Sequence, residues 1–155
     1  MSKRRDPHTL DLLDWEPPAV SVGYGADVAG RGPLDNRIAR IVGRALRDAR
    51  DERGLGRAEV AREMADYLER PVSPAMLDKW SSEGSADHRI PLDAFIGLIR
   101  VTGANDLIGF IPSMFGFAAV PERYAGLIEL HLIEEHEADI AARKTALQAK
   151  WRARR

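Results

Sequence analysis

The segment SPAMLDKWSS, from Ser73 to Ser82, carries the side chains whose types and spacing best suit a chemical task. Met76, Leu77 and Trp80 fall at helical spacing and define one apolar side. The opposite side offers small and polar groups, which are Ser73, Ala75, Asp78, Lys79, Ser81 and Ser82. Such groups can reach base edges or phosphate oxygens from a helix laid in the major groove of DNA. The alternative is a merely solvated helix face, since short polar faces occur on many helices.

The residues around this segment predict how it is positioned. Ser73-Pro74 is a strong helix start, because the serine oxygen can accept from a free amide and proline suits the first helical position. The preceding stretch, Arg57 to Leu68, places apolar residues at helical spacing before a break at Pro71. Two helices joined by a turn of a few residues are the outline of a helix-turn-helix.

Basic residues near this unit are candidates for contacts with a phosphate backbone. His88 and Arg89 fall in a predicted loop, where phosphate contact and plain solvent exposure are equally consistent with the sequence. The complete set of predicted DNA-binding residues is Arg57, Arg70, Ser73, Pro74, Ala75, Asp78, Lys79, Ser81, Ser82, His88 and Arg89.

Signals for catalysis, metal or cofactor binding are weak. GYGADVAG, from Gly23 to Gly30, lacks the spacing of a dinucleotide-binding loop, and no βαβ repeat follows it. His131 and His136 are five residues apart and lie on different helical faces, which favours a solvated helix over a metal site. No nucleophile–base arrangement has supporting motif context. We therefore expect a protein that is not an enzyme and has no cofactor, catalytic residues, metal site or small-molecule ligand.

Helical periodicity elsewhere predicts an all-α fold. Asp35 or Asn36 is expected to cap a first helix that stops at Gly54, and Pro91 to open a helix closed by Thr102-Gly103. A short helix is expected from about Asn105 to Phe115, and a long helical segment from Pro121 to the end. The predicted organisation is an irregular N-terminal arm (1–34), a helix-turn-helix domain (35–118) and a C-terminal helix (119–155).

Both terminal regions contain candidate docking elements. Leu10, Leu13 and Trp15 could form a short anchor, although packing on the chain itself or disorder is the simpler interpretation. The C-terminal helix has a thin apolar stripe, with acidic residues first and basic residues last. Self-association through this stripe and a solitary or domain-docked helix are equally open. The expected homodimer contacts are Leu127, Leu130, Ile133, Ile140 and Leu147. The ending WRARR could instead bind phosphates as a tail.

Composition bounds the cellular context. The chain has 155 residues, a net charge of −1 and no cysteine, so disulfides and thiolate metal sites are excluded. No signal peptide or membrane-spanning stretch is evident, and we expect a soluble, cytoplasmic protein without membrane contacts. Near-neutral charge argues against wholesale coating of nucleic acid.

The run VSPAMLDKWSSEG (72–84), followed by Pro91, Leu92, Leu98, Thr102-Gly103 and Leu107, resembles the lambda-repressor-like helix-turn-helix domains of the Cro and XRE type. It is especially similar to phage and prophage regulators, including the CII-like class. The resemblance covers about Asn36 to Phe117. It implies a five-helix domain that binds double-stranded DNA and regulates transcription, for instance as a repressor, in the nucleoid of a bacterial host cell.

A second class of function remains open from the sequence. Between Arg37 and Val72 nine arginines face seven acids, which leaves this region only slightly basic. A helical protein-interaction adaptor that does not bind DNA, and docks through the Trp15 arm and the C-terminal helix, also fits that charge balance.

Overall fold

The computed structural model describes residues 20–85 and 87–153. These residues are mostly helical (71%) and contain no named strand, which confirms the all-α class. The helices are α1 (Ala26–Ala29), α2 (Leu34–Arg53), α3 (Arg57–Leu68), α4 (Pro74–Trp80), α5 (Leu92–Thr102), α6 (Asn105–Ser113), a 3-10 helix (Glu122–Tyr124) and α7 (Ala125–Arg152). The chain divides into two compact units, of which one is Val20–Ala119 and the other has 120–153 as its described part.

Helix ends follow the sequence signals closely, with a few differences. Helix α2 begins at Leu34, before the expected cap, because Pro33 takes the N-cap position. Helix α4 ends at Trp80, two residues short of Ser82, where the backbone turns into the following loop. Pro91 is the N-cap of α5. None of the described helices combines the length and apolar character that crossing a membrane requires.

The core of the Val20–Ala119 unit lies between α2, α3, α4, α5 and α6. Helix α3 packs against both α4 and α5, and α2 packs against α4, α5 and α6. The largest fully buried side chains come from all five helices, and they are Ile41, Val42, Val60, Met64, Leu77, Leu98 and Leu107. Each helix therefore contributes its apolar stripe to one shared core.

Residues 20–34, which the sequence assigned to an irregular arm, form part of this unit. The Ser21 amide donates to the Ala119 carbonyl (2.9 Å), and the Ala119 amide donates back to Ser21 (3.0 Å). The Ser21 hydroxyl donates to the Asn105 carbonyl at 2.6 Å, and Ala29 of α1 is buried in the core. The compact unit thus begins at Val20. The predicted anchor of Leu10, Leu13 and Trp15 lies outside the described residues.

Two glycines allow the N-terminal segment to approach α6 closely. A Cβ on Gly23, whose φ is +79°, would lie 2.7 Å from the Phe110 amide nitrogen. A Cβ on Gly109 would overlap the Gly23 amide and lie 2.6 Å from the Ser21 carbonyl oxygen. Backbone therefore packs on backbone here, which no larger residue permits.

We predict that Gly109→Ala lowers the free energy of unfolding by about 1–3 kcal/mol, because the added methyl group must push the 20–24 segment away from α6. Thermal or urea unfolding measures the change. Gly43→Ala is the matched control: Gly43 is also buried in a helix, but its added Cβ would make only ordinary contacts of 3.5–3.6 Å. The control should be neutral or slightly stabilising. Equal stability of both variants would contradict the close packing.

Candidate nucleic-acid interface

Helix α4 is the element that positions most of the candidate side chains. Leu77 and Trp80 are buried, with 0% and 6% of their surface exposed, and they hold one side of α4 against the core. Ser73, Pro74, Ala75, Asp78, Lys79 and Ser82 are exposed, and Ser81 is half-buried. The division into an apolar and a polar side is the one that the sequence spacing predicts.

The start and end of α4 are fixed by its own serines. The Ser73 side chain accepts a hydrogen bond from the Met76 amide (3.3 Å), with Pro74 at the first helical position. The Ser81 hydroxyl donates to the Asp78 carbonyl oxygen at 3.1 Å. Both hydroxyls are therefore engaged with the α4 backbone, whereas Asp78, Lys79 and Ser82 carry the exposed polar side chains of the segment.

All three predicted arginines form ion pairs with acids on other elements. Arg57 Nε, at the start of α3, lies 2.7 Å from an Asp78 carboxylate oxygen on α4. Arg70 donates from Nε (3.0 Å) and Nη2 (2.8 Å) to Asp93 on α5, and this guanidinium lowers the pKa of the Asp93 carboxyl. Arg89 pairs with Asp35 at the start of α2. Only Arg57 is thereby held against α4.

Lys79 has no acidic partner within the described residues, and it lies beside His88. Lys79 Nζ lies 3.4 Å from His88 Nε2, and both side chains are exposed. The structure therefore brings the predicted loop residue His88 beside the predicted helix residue Lys79. The Lys79 ammonium can donate to this ring nitrogen and still offer its other N–H groups to an anion.

Arg47 is a cation near α4 that sequence reasoning did not include. A Cβ on Gly43 would lie 3.5 Å from Ser81 Cβ and 3.6 Å from Arg47 Nη1, so Ser81 and the Arg47 guanidinium flank the same point of α2. Arg47 is exposed. The sequence did contain a signal for this position. Gly43 lies one helical turn before Arg47, and a glycine on a buried helix face indicates a place where another element can approach closely.

Arg40 fixes the course of the loop that follows α4. Its Nε and Nη2 donate to the two carboxylate oxygens of Glu83 at 2.8 and 2.7 Å. Its Nη1 donates to the carbonyl oxygens of Ala29 and Arg31, both at 2.9 Å. One guanidinium thus joins the end of α1, the body of α2 and the loop that leads to His88 and Arg89. Sequence reasoning missed this contact.

No protein-family model matches this sequence, and no curated protein and no solved structure is significantly similar to it. A function for the α3–α4 unit has to be inferred from its own geometry and charges.

The Arg40–Glu83 contact predicts a specific titration. Two hydrogen bonds from Arg40 lower the pKa of Glu83 from 4.5, so the folded state holds the carboxylate ionised to lower pH than the unfolded state does. The stabilisation of the folded state by this contact is present above pH 4.5 and is lost as the pH falls through the folded-state pKa.

We expect Arg40→Ala to raise the Glu83 pKa, measured by NMR on the side-chain carboxyl carbon. Arg100→Ala, an exposed arginine on α5, is the control and should leave the pKa unchanged. An unchanged pKa in Arg40→Ala would rule out the contact.

Proposed function

We propose that this protein is a sequence-specific transcriptional regulator of the phage or prophage type, which inserts α4 and the two residues after it in the major groove of double-stranded DNA. One observation carries the proposal. Helix α4 is the second helix of a tight two-helix unit, and its exposed side holds only small or polar side chains while Leu77 and Trp80 anchor the other side. The likeness of residues 72–107 to Cro and XRE-type domains supports the same function.

The exposed side chains have the chemistry that base recognition needs. Lys79 can donate to guanine O6 and N7, and Asp78 can accept from cytosine N4. Serine hydroxyls can donate to or accept from several base edges. The Ser73 cap, the buried Trp80 and the close approach of α2 at Gly43 hold α4 in one orientation. The α4 backbone therefore loses little conformational entropy when its exposed side chains bind DNA.

The acids near the site favour selective over general DNA binding. The side chains of the Arg57–Asp78 pair are 37% and 62% accessible, and ion pairs in contact with solvent contribute at most about 1 kcal/mol in water. Arg57 can therefore exchange Asp78 for a phosphate oxygen at little expense. Until it does so, the carboxylate reduces the attraction of the face for arbitrary DNA.

The first test is the double variant Lys79→Ala/Arg89→Ala, assayed by fluorescence anisotropy on a duplex selected from a random pool. We expect affinity to fall about tenfold or more and the dependence of log K on log salt to flatten by about 0.9 for each of the two side chains that contacts a phosphate rather than a base. Arg50→Ala/Arg100→Ala removes two exposed arginines from α2 and α5 and should change neither quantity by as much. If affinity and salt slope are unchanged in the Lys79/Arg89 variant, the exposed side of α4 and the loop after it do not contact DNA as proposed.

The second test is Asp78→Asn, which removes the negative charge beside Arg57. We expect tighter binding to random duplex and a steeper salt dependence, because Arg57 no longer has to leave a carboxylate. If Asp78 contacts a base, the ratio of affinities for selected and random duplex falls at the same time. Asp66→Asn removes another exposed acid, on α3, and serves as the control. Equal effects of both changes would show that only net charge matters.

A protein-interaction adaptor is the second candidate, and one observation favours it. Five large apolar side chains within α6 and just after it are exposed by 41–70%, and they are Ile108, Ile111, Met114, Phe115 and Phe117. Clustered apolar exposure of this kind is typical of interaction surfaces. A gel shift with random duplex at low and moderate salt separates the candidates, since no retention at either salt favours the adaptor.

A further inference from the structure

Helix α7 carries an apolar stripe that is exposed along its whole length. The helix has 28 residues, which corresponds to roughly 42 Å, and no residue of it is buried. Ile133, Ile140 and Leu147 recur every seven residues, and Leu130 and Trp151 fall on the same side. These five side chains are exposed by 49–63%. A shallow hollow of about 590 Å³ lies along the later part of the stripe, beside Ile140, Leu147 and Trp151.

The charges of α7 are separated along its axis. Its acids all lie before residue 140, at Glu129, Glu134, Glu135, Glu137 and Asp139. Its lysines and arginines all lie after residue 142, at Arg143, Lys144, Lys150 and Arg152. Within the stripe itself, Glu137 and Lys144 occupy the two positions that interrupt the apolar repeat. When two copies of α7 lie antiparallel, the acidic half of each copy therefore faces the basic half of the other.

We propose that α7 pairs in antiparallel orientation with α7 of a second copy of this chain. With the crossing point between Ile140 and Ala141, Glu137 faces the partner's Lys144, and Leu130 faces the partner's Trp151. Glu129 then faces the partner's Arg152. One alignment of the two helices therefore packs the apolar residues of the stripe together and also pairs its opposite charges.

A parallel pair lacks this complementarity. It would place Glu137 against the partner's Glu137 and Lys144 against the partner's Lys144, which sets like charges in the seam. Charged residues at seam positions reduce stability but fix register and orientation. The inference concerns α7 alone and is independent of whether α4 binds DNA.

The full-length chain tests the proposal by sedimentation velocity across a concentration series. We expect a dimer in the wild type and at least a tenfold higher dissociation constant in Ile140→Glu/Leu147→Glu. Leu132→Glu is the matched control, because Leu132 is 58% exposed on the same helix but faces away from the stripe. Circular dichroism should show similar helix content in all three proteins. A monomeric wild type at about 100 μM, or equal weakening in the control, would overturn the proposal.

Charge exchange tests the orientation. In the antiparallel pair, Glu137→Lys and Lys144→Glu each weaken the dimer, and the combined variant restores it, because every contact again joins opposite charges. In a parallel pair the single changes have little effect.

Spin labels give a second measure of orientation, since the chain has no cysteine to interfere. With Gln148→Cys labelled, an antiparallel pair separates the two backbone positions by roughly 22 Å along the axis, because each lies 7.5 residues from the crossing point. A parallel pair places them side by side. Short distances in double electron–electron resonance would therefore exclude the proposed orientation.

Discussion

The burial of Leu77 and Trp80 is the constraint on which the candidate interface depends. Helix α4 has seven residues, and a helix of that length does not form by itself in water. Its stability has to come from packing, and full burial of one large apolar side chain contributes roughly 1.5–3 kcal/mol. The same two contacts decide which side chains face solvent. The polar face of α4 is therefore a consequence of how the core is filled.

The electrostatics of the unit follow from that placement. The α4 core contacts hold Asp78 beside Arg57, while Arg70 and Arg89 pair with acids on α5 and α2. These ion pairs stabilise the connections around α4 and at the same time mask positive charge. Lys79 has no acidic partner among the described residues and lies beside His88. The ion pairs therefore limit the attraction of this surface for phosphate in general.

The sequence predicted the helices well and the contacts between them poorly, for physical reasons. Helical periodicity is local, so α3 was predicted from Arg57 to Leu68, as the structure has it, and the spacing of Leu77 and Trp80 predicted the buried side of α4. The Arg40–Glu83 pair joins residues 43 positions apart, and the Arg89–Asp35 pair spans 54. No local pattern encodes such partners.

The same reasoning explains why the sequence did not reveal that residues 20–34 belong to the compact unit. Their glycines and prolines suppress helical periodicity, which is typical of an irregular lead-in. The tertiary structure uses one of these glycines, Gly23, to bring backbone against Gly109 of α6. Glycine content alone does not distinguish a loose segment from one that packs closely, because both need a small residue. The distinction depends on the partner surface, which only the folded chain supplies.

Symmetry connects the two proposals. An antiparallel pair of identical helices has a twofold axis, so each copy presents the same face to its partner and the assembly closes at two chains. A dimer of identical chains carries two α4 helices, and a DNA site with two half-sites offers a place for each of them. A single seven-residue helix contacts few base pairs. When two such helices belong to one dimer, binding of the first to a duplex holds the second close to the same duplex, which raises the overall affinity. The α4 surface of one chain carries little unpaired positive charge. Dimerisation through α7 would therefore strengthen and sharpen its proposed binding to DNA.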